Sequence, residues 1–578
     1  MTGWGLRVRK VSIERGVQGA TVRRPCDVLN TLWANRGLSQ APDYAFSSML
    51  TPTLMGLSEA VAMLSEAIDR NQRILVVGDF DADGATATAL AVDALKAMGA
   101  ADVDWLIPDR FRHGYGLSEK VIDEIGAPQP DVILTVDQGI SAHEGVACAQ
   151  ARGMRVIVTD HHLPSETLPS ADAIVNPNRA DDPFGSKHLA GVGVVFYVMV
   201  ALRQHLRKNG HFETRSEPRL DQWLDLVALG TVADLVMLDH NNRLLVAQGL
   251  ARIRAGKTRP GIRALFELAK RNLALCTAAD LGFAVAPRLN AAGRLEEMSV
   301  GVRCLLADQE SAARPLAETL DAINQQRRAL QATMQAQAHE QAKAVMAEQT
   351  KAGVGLCLFD PSWHQGVVGL VAGQVAEKLQ CPVVAFAIDE ENPSKLKGSG
   401  RSPSGVHMRD VLVEIDRRAP GVIDQFGGHS GAAGLTLDKD ALGQFEQAFN
   451  RIAEDIPKVS EVVQSDGVLP AELLTDELAL MIEHAGPWGQ GFSEPLFDGA
   501  FEVVDRRIVG GEHLKLSLRA SNGTQVFDAI AFRAATLASF DLPEPWHITY
   551  RLDVNRWRGQ HRVQLIVQHW VERVLDSA

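Results

Sequence analysis

Three short apolar segments, each leading into acidic residues, constrain the fold of this chain more than any other feature. Residues 74–77, 132–136 and 156–159 are rich in β-branched and other apolar side chains, as in strands that are buried on both faces. Segments of helical composition separate them, and repeated strand-then-helix units predict a parallel sheet with covered faces. We therefore predict an α/β fold whose polar residues follow the carboxyl ends of the strands, where such sheets place their sites.

Composition excludes several classes of protein. The net charge of −13 argues against a surface coated in positive charge for nucleic acid, although a local basic groove stays possible. The six cysteines include no CxxC pair, so a zinc ribbon, a thioredoxin-type site and a disulfide framework lack support. Since no apolar run exceeds 14 residues and the N-terminus has no apolar signal core, we expect a cytoplasmic protein without a membrane partner.

Changes in residue composition and pattern along the chain predict five parts. These are an N-terminal helical segment at 1–45, a catalytic domain at 46–245, a helical region at 246–352, a second α/β domain at 353–457 and a β-rich domain at 465–575. The run from Leu316 to Ala352 lacks Gly and Pro, which predicts a connector helix roughly 50 Å long between two lobes. The segment from Tyr550 to Trp570 predicts a hairpin with its turn near Gly559.

A dense acidic segment follows the first apolar run. Asp79, Asp81 and Asp83 lie within five residues, and such carboxylates repel one another unless cations neutralise them. A solvated acidic turn is one alternative. A calcium loop is another, but it requires flanking helices and a Glu at its twelfth position, whereas a β run precedes this segment.

Further candidate ligands lie at the same end of the predicted sheet. Asp137 follows the second apolar run, and the Asp160–His162 segment follows the third. Carboxylate oxygens with imidazole nitrogen suit Mn²⁺ or Mg²⁺ better than zinc. Asp234 lies in an apolar helical context, where it is either a buried capping residue or a further ligand.

The order of these motifs resembles that of the DHH phosphoesterase superfamily. They read Gly-Asp-Phe-Asp-Ala-Asp-Gly at 78–84, Thr-Val-Asp at 135–137, Thr-Asp-His-His at 159–162 and Gly-Thr-Val-Ala-Asp at 230–234. Three further segments, at 288–294, 398–402 and 426–431, are similar to those of the single-stranded-DNA exonucleases of that superfamily. This resemblance implies a parallel-sheet DHH domain, a long connector helix, a DHH-associated α/β domain and a C-terminal oligonucleotide/oligosaccharide-binding (OB) fold.

The resemblance also implies an activity. It indicates a metal-dependent 5′→3′ exonuclease that hydrolyses single-stranded DNA to 5′-mononucleotides, with roles in recombination and mismatch repair. Implied partners are single-stranded DNA, a single-stranded DNA-binding protein and a helicase, and we expect a monomer because no coiled-coil seam is present. Two alternatives stay open: a phosphoesterase of short oligonucleotides or small phosphate compounds, and a DNA-binding scaffold with a degenerate site. The length of the chain disfavours the first, and the full set of acidic residues disfavours the second.

Residue roles carry over position by position. The resemblance implies that two Mn²⁺ or Mg²⁺ ions are held by Asp79, Asp81, Asp83, Asp137, His161 and Asp234. It implies that the catalytic residues are Asp137, which would bridge the ions, His161, and His162, which would stabilise the scissile phosphate or donate a proton to it. The implied substrate-binding residues, some of which would grip the terminal 5′-phosphate, are Arg110, Ser141, Asn290, Arg294, Ser399, Arg401 and His429.

The chain departs from the family pattern at two places. Gln138 stands where the pattern has Asn, which adds one methylene to the amide side chain, and Ser430 follows the Gly-Gly-His segment where Ala is expected.

Two basic segments have two possible interpretations each. Arg551, Arg556, Arg558 and Arg562 flank Trp557 on the predicted hairpin and form either a nucleic-acid contact or a solvated hairpin. The run at 325–328 either lines a DNA path or forms a solvated helix face.

Overall fold

The computed structural model describes residues 9–16, 23–348, 355–403, 405–456, 462–521, 523–539, 545–556 and 561–575. They divide into two compact units. The larger unit comprises Met49–Val236 and Gln248–Val459, and the smaller comprises Met1–Ser48, Met237–Ala247 and Ser460–Ala578. No helix in the described ranges is long and apolar enough to span a bilayer.

The strands and helices are as follows, in chain order. The strands are β1 (Arg9–Arg15), β2 (Arg73–Val77), β3 (Asp102–Leu106), β4 (Val132–Val136), β5 (Arg155–Thr159), β6 (Ala173–Val175), β7 (Leu356–Phe359), β8 (Val383–Ile388), β9 (Lys395–Arg401), β10 (Gln425–Gly428), β11 (Ala432–Asp438), β12 (Val462–Ser465), β13 (Phe497–Val509), β14 (His513–Ala520), β15 (Val526–Ala531), β16 (Trp546–Asn555) and β17 (Arg562–Leu575). The helices are α1 (Pro25–Asn35), α2 (Leu57–Asp69), α3 (Ala82–Ala97), α4 (Glu119–Glu124), α5 (His143–Ala151), α6 (Gly191–Lys208), α7 (Leu224–Ala233), α8 (His240–Arg254), α9 (Pro260–Leu268), α10 (Ala278–Asp280), α11 (Ala286–Leu295), α12 (Ser299–Leu306), α13 (Glu310–Glu348), α14 (Val368–Leu379), α15 (Met408–Arg418), α16 (Leu442–Glu454) and α17 (Asp476–Ala485).

A five-stranded, wholly parallel sheet forms the first half of the larger unit. Its order is β3-β2-β4-β5-β6. The side chains of β4 are buried along the whole strand, because helices cover both faces of the sheet. The predicted parallel sheet is therefore confirmed. Strands β2, β4 and β5 all end at one edge, so the loops that follow them meet there.

The connector helix α13 is 39 residues long, or roughly 58 Å at 1.5 Å per residue. It begins six residues before the predicted start, because Pro315 lies inside its N-terminal part and does not end it. The predicted residues 349–352 lie outside the described part of the chain. The helix packs on α9, α11 and α12 and also on α14 and β7, so it links the two halves of the larger unit.

The second half of this unit contains a mixed sheet in the order β10-β11-β9-β8-β7. Strands β7 and β8 are parallel, and the remaining pairs are antiparallel. Phe386, Phe445 and Phe449 are fully buried in its core, with α15 and α16 on the same side. This is the predicted second α/β fold, and its strand β9 packs against α14.

The smaller unit is a β-barrel. Strands β13, β14, β15, β17 and β16 pair in that order, and β16 pairs back with β13, so the barrel is closed, as in an OB fold. The antiparallel β16–β17 pair confirms the predicted hairpin, although Trp557, Arg558 and the rest of the turn lie outside the described residues.

The predicted N-terminal helical segment at 1–45 is wrong for Arg9–Arg15. This segment is β1, which pairs in parallel with β12 and β17. Its alternating Val11 and Ile13 are buried against Val571, and period-two burial is the pattern of a strand. Helix α1 is the helical part of the segment.

Candidate metal and phosphate site

Acidic and histidine side chains converge at the carboxyl edge of the parallel sheet. Their ligand atoms form three groups, each with all atoms within 4.8 Å of one another. The groups are Asp79, Asp81 and Asp137; Asp83, His161 and Asp234; and Asp137, His161 and His162. Asp137 and His161 each belong to two groups, so the whole predicted metal set is one continuous cluster.

The turn after β2 directs three carboxylates to this edge. The Asp81 side chain caps α3 by accepting hydrogen bonds from the backbone N–H groups of Asp83 (2.9 Å) and Gly84 (3.0 Å), which fixes the first turn of the helix. Asp83 in turn accepts from the N–H groups of Gly191 (2.6 Å) and Val192 (3.0 Å) at the start of α6. The N-termini of two helices therefore hold this acidic turn in place.

Asp137 occupies a conformation that is costly for a residue with a side chain. Its φ is +62°, in the left-handed region that favours glycine. A Cβ added at Gly191 would lie 2.4 Å from the Asp137 Oδ1, and one added at Gly230 would lie 2.6 Å from the Asp83 Oδ1. Both positions therefore need glycine, because α6 and α7 approach the carboxylates without room for a side chain.

Burial and mutual repulsion disfavour the ionised form of these carboxylates. Burial and the negative charge of Asp81 raise the pKa of Asp79 to about 8 and that of Asp83 to about 7. Burial and the neighbouring aspartates also raise the pKa of Asp137 and of Asp234 well above the ordinary value. A bound cation would reverse these shifts, since an opposite charge favours the ionised carboxylate.

His161 fits a metal-ligand role better than an ion pair. Burial and the charge of His162 lower the pKa of His161 to about 4, so its ring is neutral at pH 7, as metal coordination requires. Its Nε2 lies 3.1 Å from the Asp137 Oδ1 and 3.4 Å from the Asp234 Oδ2. Nevertheless, the His161 Nε2 and the Asp137 Oδ1 are buried without a hydrogen bond from any described residue. Two orphaned ligand atoms aimed at one point fit a metal ion.

The pKa of His162 is shifted in the opposite direction to that of His161. Burial opposes its charge, but the hydrogen bond from its Nδ1 to Asp160 (2.7 Å) and the charge of that carboxylate raise the pKa of His162 to about 9. Asp160 is itself fully buried. Burial acts to raise the pKa of Asp160, yet its bonds to His162 keep that pKa below the ordinary value. The Tyr115 hydroxyl lies 3.2 Å from the His162 ring, so a fixed imidazolium stands beside the carboxylate cluster.

The three predicted phosphate-binding arginines lie close together. The Arg110 guanidinium lies over the Phe80 ring, 4.7 Å from its centroid, which is a cation–π contact. Arg294 donates to the Gly366 carbonyl (3.3 Å), and Arg401 donates to the Ser399 hydroxyl (2.8 Å). Burial and the positive charges of Arg110, Arg401 and Arg327 lower the pKa of Arg294 to about 10, so these guanidinium groups repel one another across a short distance.

The remaining predicted substrate residues have separate places. Asn290, on α11, accepts a hydrogen bond from the Ala82 N–H (2.8 Å) and thereby supports the acidic turn. Ser141 is exposed after β4, and His429 is exposed after β10. Burial and the charge of Arg401 lower the pKa of His429, so His429 lies near Arg401. Ser141 lies four residues after Asp137, in the loop that follows β4.

Gln138, the departure from the family pattern, is fully buried. Its Nε2 donates to the Val77 carbonyl (3.2 Å), which ties the loop after β4 to the end of β2. The longer amide therefore has a structural contact in this chain, and its Oε1 has no hydrogen-bond partner among the residues that the structure describes.

Sequence reasoning did not assign several residues that the structure brings to the site. The sequence patterns assign no role to Asp160, Tyr115 or the Trp363–Gly366 segment, and they leave Arg327 in a run with two interpretations. His364 packs edge-on to Phe111. The Gly-Tyr-Gly at 114–116 and the Trp-His-Gln-Gly at 363–366 are aromatic and glycine clusters in loops, and these were the available signals.

Two basic residues of the barrel hairpin are neutralised by carboxylates. Arg551 pairs with Glu494 (2.6 Å) and Arg556 with Glu483 (2.8 Å). A paired arginine offers less charge to a phosphate than a free one. These two contacts favour the solvated-hairpin interpretation over a nucleic-acid contact at these positions.

Family models cover most of the chain. Residues 73–231 match the DHH family N-terminal domain, residues 345–455 match the DHHA1 domain, and residues 465–569 match the RecJ OB domain. A relative named "Single-stranded-DNA-specific exonuclease RecJ" from Dickeya dadantii is 49% identical over 551 residues, which is 94% of this chain and 95% of that one. The chain belongs to the RecJ family. A second RecJ relative, from Escherichia coli, is 46% identical over 97% of this chain and 99% of its own.

Solved RecJ structures share the fold. The crystal structure of RecJ from Thermus thermophilus in complex with Mn²⁺ superposes with a TM-score of 0.77 at 30% identity, over 96% of this chain and 79% of that chain. A second structure, an exonuclease RecJ bound to manganese, matches with a TM-score of 0.58 at 34% identity, over 70% of this chain and 96% of its own. The DHH, DHHA1 and OB architecture is therefore that of the RecJ family.

Proposed function

We propose that this protein is a metal-dependent exonuclease that degrades single-stranded DNA in the 5′→3′ direction to 5′-mononucleotides, in recombination and mismatch repair. The observation that carries the proposal is the buried carboxylate–histidine cluster beside a group of arginines that pair with no described carboxylate. The names of the relatives, which are single-stranded-DNA-specific exonucleases, support the substrate. The direction, the products and the pathways rest on the family resemblance.

We propose that the cluster holds two Mn²⁺ or Mg²⁺ ions. One would be bound by Asp79 and Asp81, the other by Asp83 and Asp234, with Asp137 shared between them. His161 would complete the second set. Such a metal pair binds phosphate oxygens, lowers the pKa of a bound water and stabilises the leaving oxygen. The orphaned Asp137 Oδ1 and His161 Nε2 support this assignment.

His162 would act on the scissile phosphate as a cation. Asp160 holds the imidazole in one orientation and raises its pKa to about 9, so the ring is protonated at pH 7. A fixed imidazolium can stabilise the negative charge that develops on a phosphate, or donate a proton to the leaving oxygen. Tyr115, within hydrogen-bond distance of the ring, would restrict its movement.

Arg110, Arg294, Arg401, Ser399 and His429 would bind phosphates of the strand. Arginine pairs with phosphate oxygens through two parallel hydrogen bonds, and mutual repulsion among these groups would be relieved by an anion. If one of these phosphates is the terminal 5′-phosphate, only a strand end with that group binds fully, which explains a 5′→3′ direction. Ser141 and Asn290 would complete the site, Asn290 by supporting the acidic turn.

The OB domain would provide further single-strand contacts, since OB folds bind unpaired strands through grooves and stacking. A single-stranded DNA-binding protein and a helicase are proposed as partners on the family resemblance.

The test uses a single-stranded DNA of several tens of nucleotides, labelled at its 3′ end. It is incubated with Mn²⁺, with Mg²⁺ or with EDTA, beside Asp81→Ala and the surface control Asp181→Asn. We expect a ladder that shortens from the 5′ side, absent with EDTA and with Asp81→Ala, and unchanged with Asp181→Asn. An intact long strand together with cleavage of dinucleotides would instead support the phosphoesterase of short oligonucleotides. Binding without cleavage of either would support the scaffold.

A further inference from the structure

Arg327 on α13 has a guanidinium group that is held in place without being neutralised. Its Nη1 donates to the Gln331 Oε1 (2.6 Å) and its Nη2 to the Asn324 Oδ1 (2.7 Å). Asn324 and Gln331 are buried and lie on the same helix, one turn before and one turn after Arg327. Since both partners are neutral amides, they fix the direction of the guanidinium and leave its full charge available.

Nearby side chains on α13 have different partners from Arg327. Arg288 on α11 forms an ion pair with Asp321 on α13 (2.8 Å), and Gln325 donates to the same carboxylate (2.7 Å). Arg328 is exposed and lies on the same face of the helix as Asp321 and Gln325, whereas Arg327 lies on a different face. Within the described part of the chain, by contrast, no carboxylate forms an ion pair with Arg327, which is half-buried.

Arg327 also lies near the arginines of the phosphate site, because α13 packs on α11, which carries Arg294. The segment that accepts the Arg294 hydrogen bond at Gly366 is itself tied to α13, since the Trp363 Nε1 donates to the Gln337 Oε1 (2.8 Å).

The charge of Arg327 is one of those that lower the pKa of Arg294, together with the charges of Arg110 and Arg401. Burial, followed by the charge of Arg328, lowers the pKa of Arg327 itself. Four guanidinium groups from a loop, two helices and a strand thus lie near one another, and none of them forms an ion pair with a described carboxylate. Such an arrangement is unfavourable unless an anion with several charges binds there.

We propose that Arg327 is a phosphate-binding residue for the DNA strand, held ready by Asn324 and Gln331, and that it extends the arginine site onto the connector helix. This inference rests on the proposed function, since it takes the anion to be the backbone of single-stranded DNA. It resolves the run at 325–328: Arg327 faces the DNA, Gln325 is part of the helix–helix contact, and Arg328 is solvated.

The experiment measures binding of a labelled, 5′-phosphorylated single strand by fluorescence anisotropy in EDTA, so that cleavage does not interfere, over a series of salt concentrations. Each phosphate contact to a single strand contributes about 0.7 to the slope of log K against log salt concentration. We expect Arg327→Gln to weaken binding about tenfold and to lower the slope by about 0.7. Arg327→Lys should keep most of the slope, and Arg328→Gln should behave as the unchanged protein.

Steady-state kinetics and a second variant separate the possible outcomes. In steady-state cleavage with Mn²⁺, Arg327→Gln should raise KM and leave kcat unchanged, which a general loss of structure would not do. Arg327→Met, which keeps a long aliphatic side chain, serves if Arg327→Gln melts at a lower temperature. If the unsubstituted protein binds the strand but Arg327→Gln and Arg327→Met both keep its salt slope, the inference about Arg327 is wrong. Failure of the unchanged protein to cleave any strand in the presence of Mn²⁺ would overturn the proposed function itself.

Discussion

Replacing Gly191 by Ala tests whether the first turn of α6 must touch the carboxylate cluster. An alanine Cβ would lie 2.4 Å from both the Cβ and the Oδ1 of Asp137, whereas carbon atoms in contact are normally about 3.5–4.0 Å apart. Either Asp137 or the start of α6 must therefore move by about 1 Å. Asp137 has little freedom, since its backbone is already held at a φ of +62°.

Movement of α6 would also disturb Asp83. The N–H groups of Gly191 and Val192 are its hydrogen-bond donors, at 2.6 and 3.0 Å, and bonds of this kind to a charged group contribute about 1.5–3 kcal/mol each. Weakening both costs roughly 2–4 kcal/mol of folding free energy. Because a displacement of about 1 Å at a catalytic group can reduce the rate about 100-fold, we expect kcat to fall by about that factor.

The assay follows cleavage of the 3′-labelled strand at increasing Mn²⁺ concentrations, with thermal melting in parallel. We expect Gly191→Ala to lose activity and to need more Mn²⁺ for half-maximal rate. The control is Gly193→Ala on the same helix, whose Cβ would lie 3.2 Å from the flexible end of Leu189 and which should keep near-normal activity. Full activity in Gly191→Ala, or an equal loss in Gly193→Ala, would refute the reasoning.

Three further predictions concern single side chains. Asp137→Asn should abolish cleavage and remove most Mn²⁺ binding by calorimetry, because it takes away the carboxylate shared between two ligand groups; retention of normal Mn²⁺ affinity would contradict the shared role. Arg401→Gln should raise KM more for a 5′-phosphorylated strand than for a 5′-hydroxyl strand, and equal effects would separate Arg401 from the terminal phosphate. Asp498→Asn should lower the stability of the barrel unit by about 2 kcal/mol at pH 6, measured by urea unfolding. Burial opposes the charge of Asp498, but hydrogen bonds from His547, Arg15 and Ser465 lower its pKa to about 2. The stabilisation is therefore present above about pH 4 and is lost as the pH falls toward about 2, so a difference between the two proteins that stays constant over that range would contradict the assignment.

The parallel sheet and its functional edge could be predicted because their signals are local. Strands β2, β4 and β5 are short apolar runs, and each leads directly into the residues that line the site. The parallel direction of the strands then follows from the strand–helix alternation. The identity of β1 could not be predicted in this way, since its partners β12 and β17 lie about 450 and 560 residues further along the chain.

The site itself was predictable in its charged residues and not in their supports. Asp79, Asp81 and Asp83 are conspicuous because unpaired acids are costly, but nothing in the sequence near Gly191 or Gly230 indicates that these glycines pack on carboxylates. Their role depends on how α6 and α7 cross the sheet edge. The same applies to Arg327, since its neighbours on the helix are local but Arg294 approaches it from α11.

Within the larger unit, the acidic ligands and most of the phosphate-binding arginines come from different halves. The parallel sheet supplies the acidic ligands, whereas Arg401 comes from β9 of the other sheet and Arg294 from α11, which contacts that half through Gly366. Arg110 lies between the two, over Phe80 and close enough to the charges of Asp79 and Asp81 to be stabilised by them. Neither half alone combines metal ligands with a full phosphate grip. A phosphodiester strand can satisfy both together, because its scissile phosphate needs the cations while its neighbouring phosphates need the arginines.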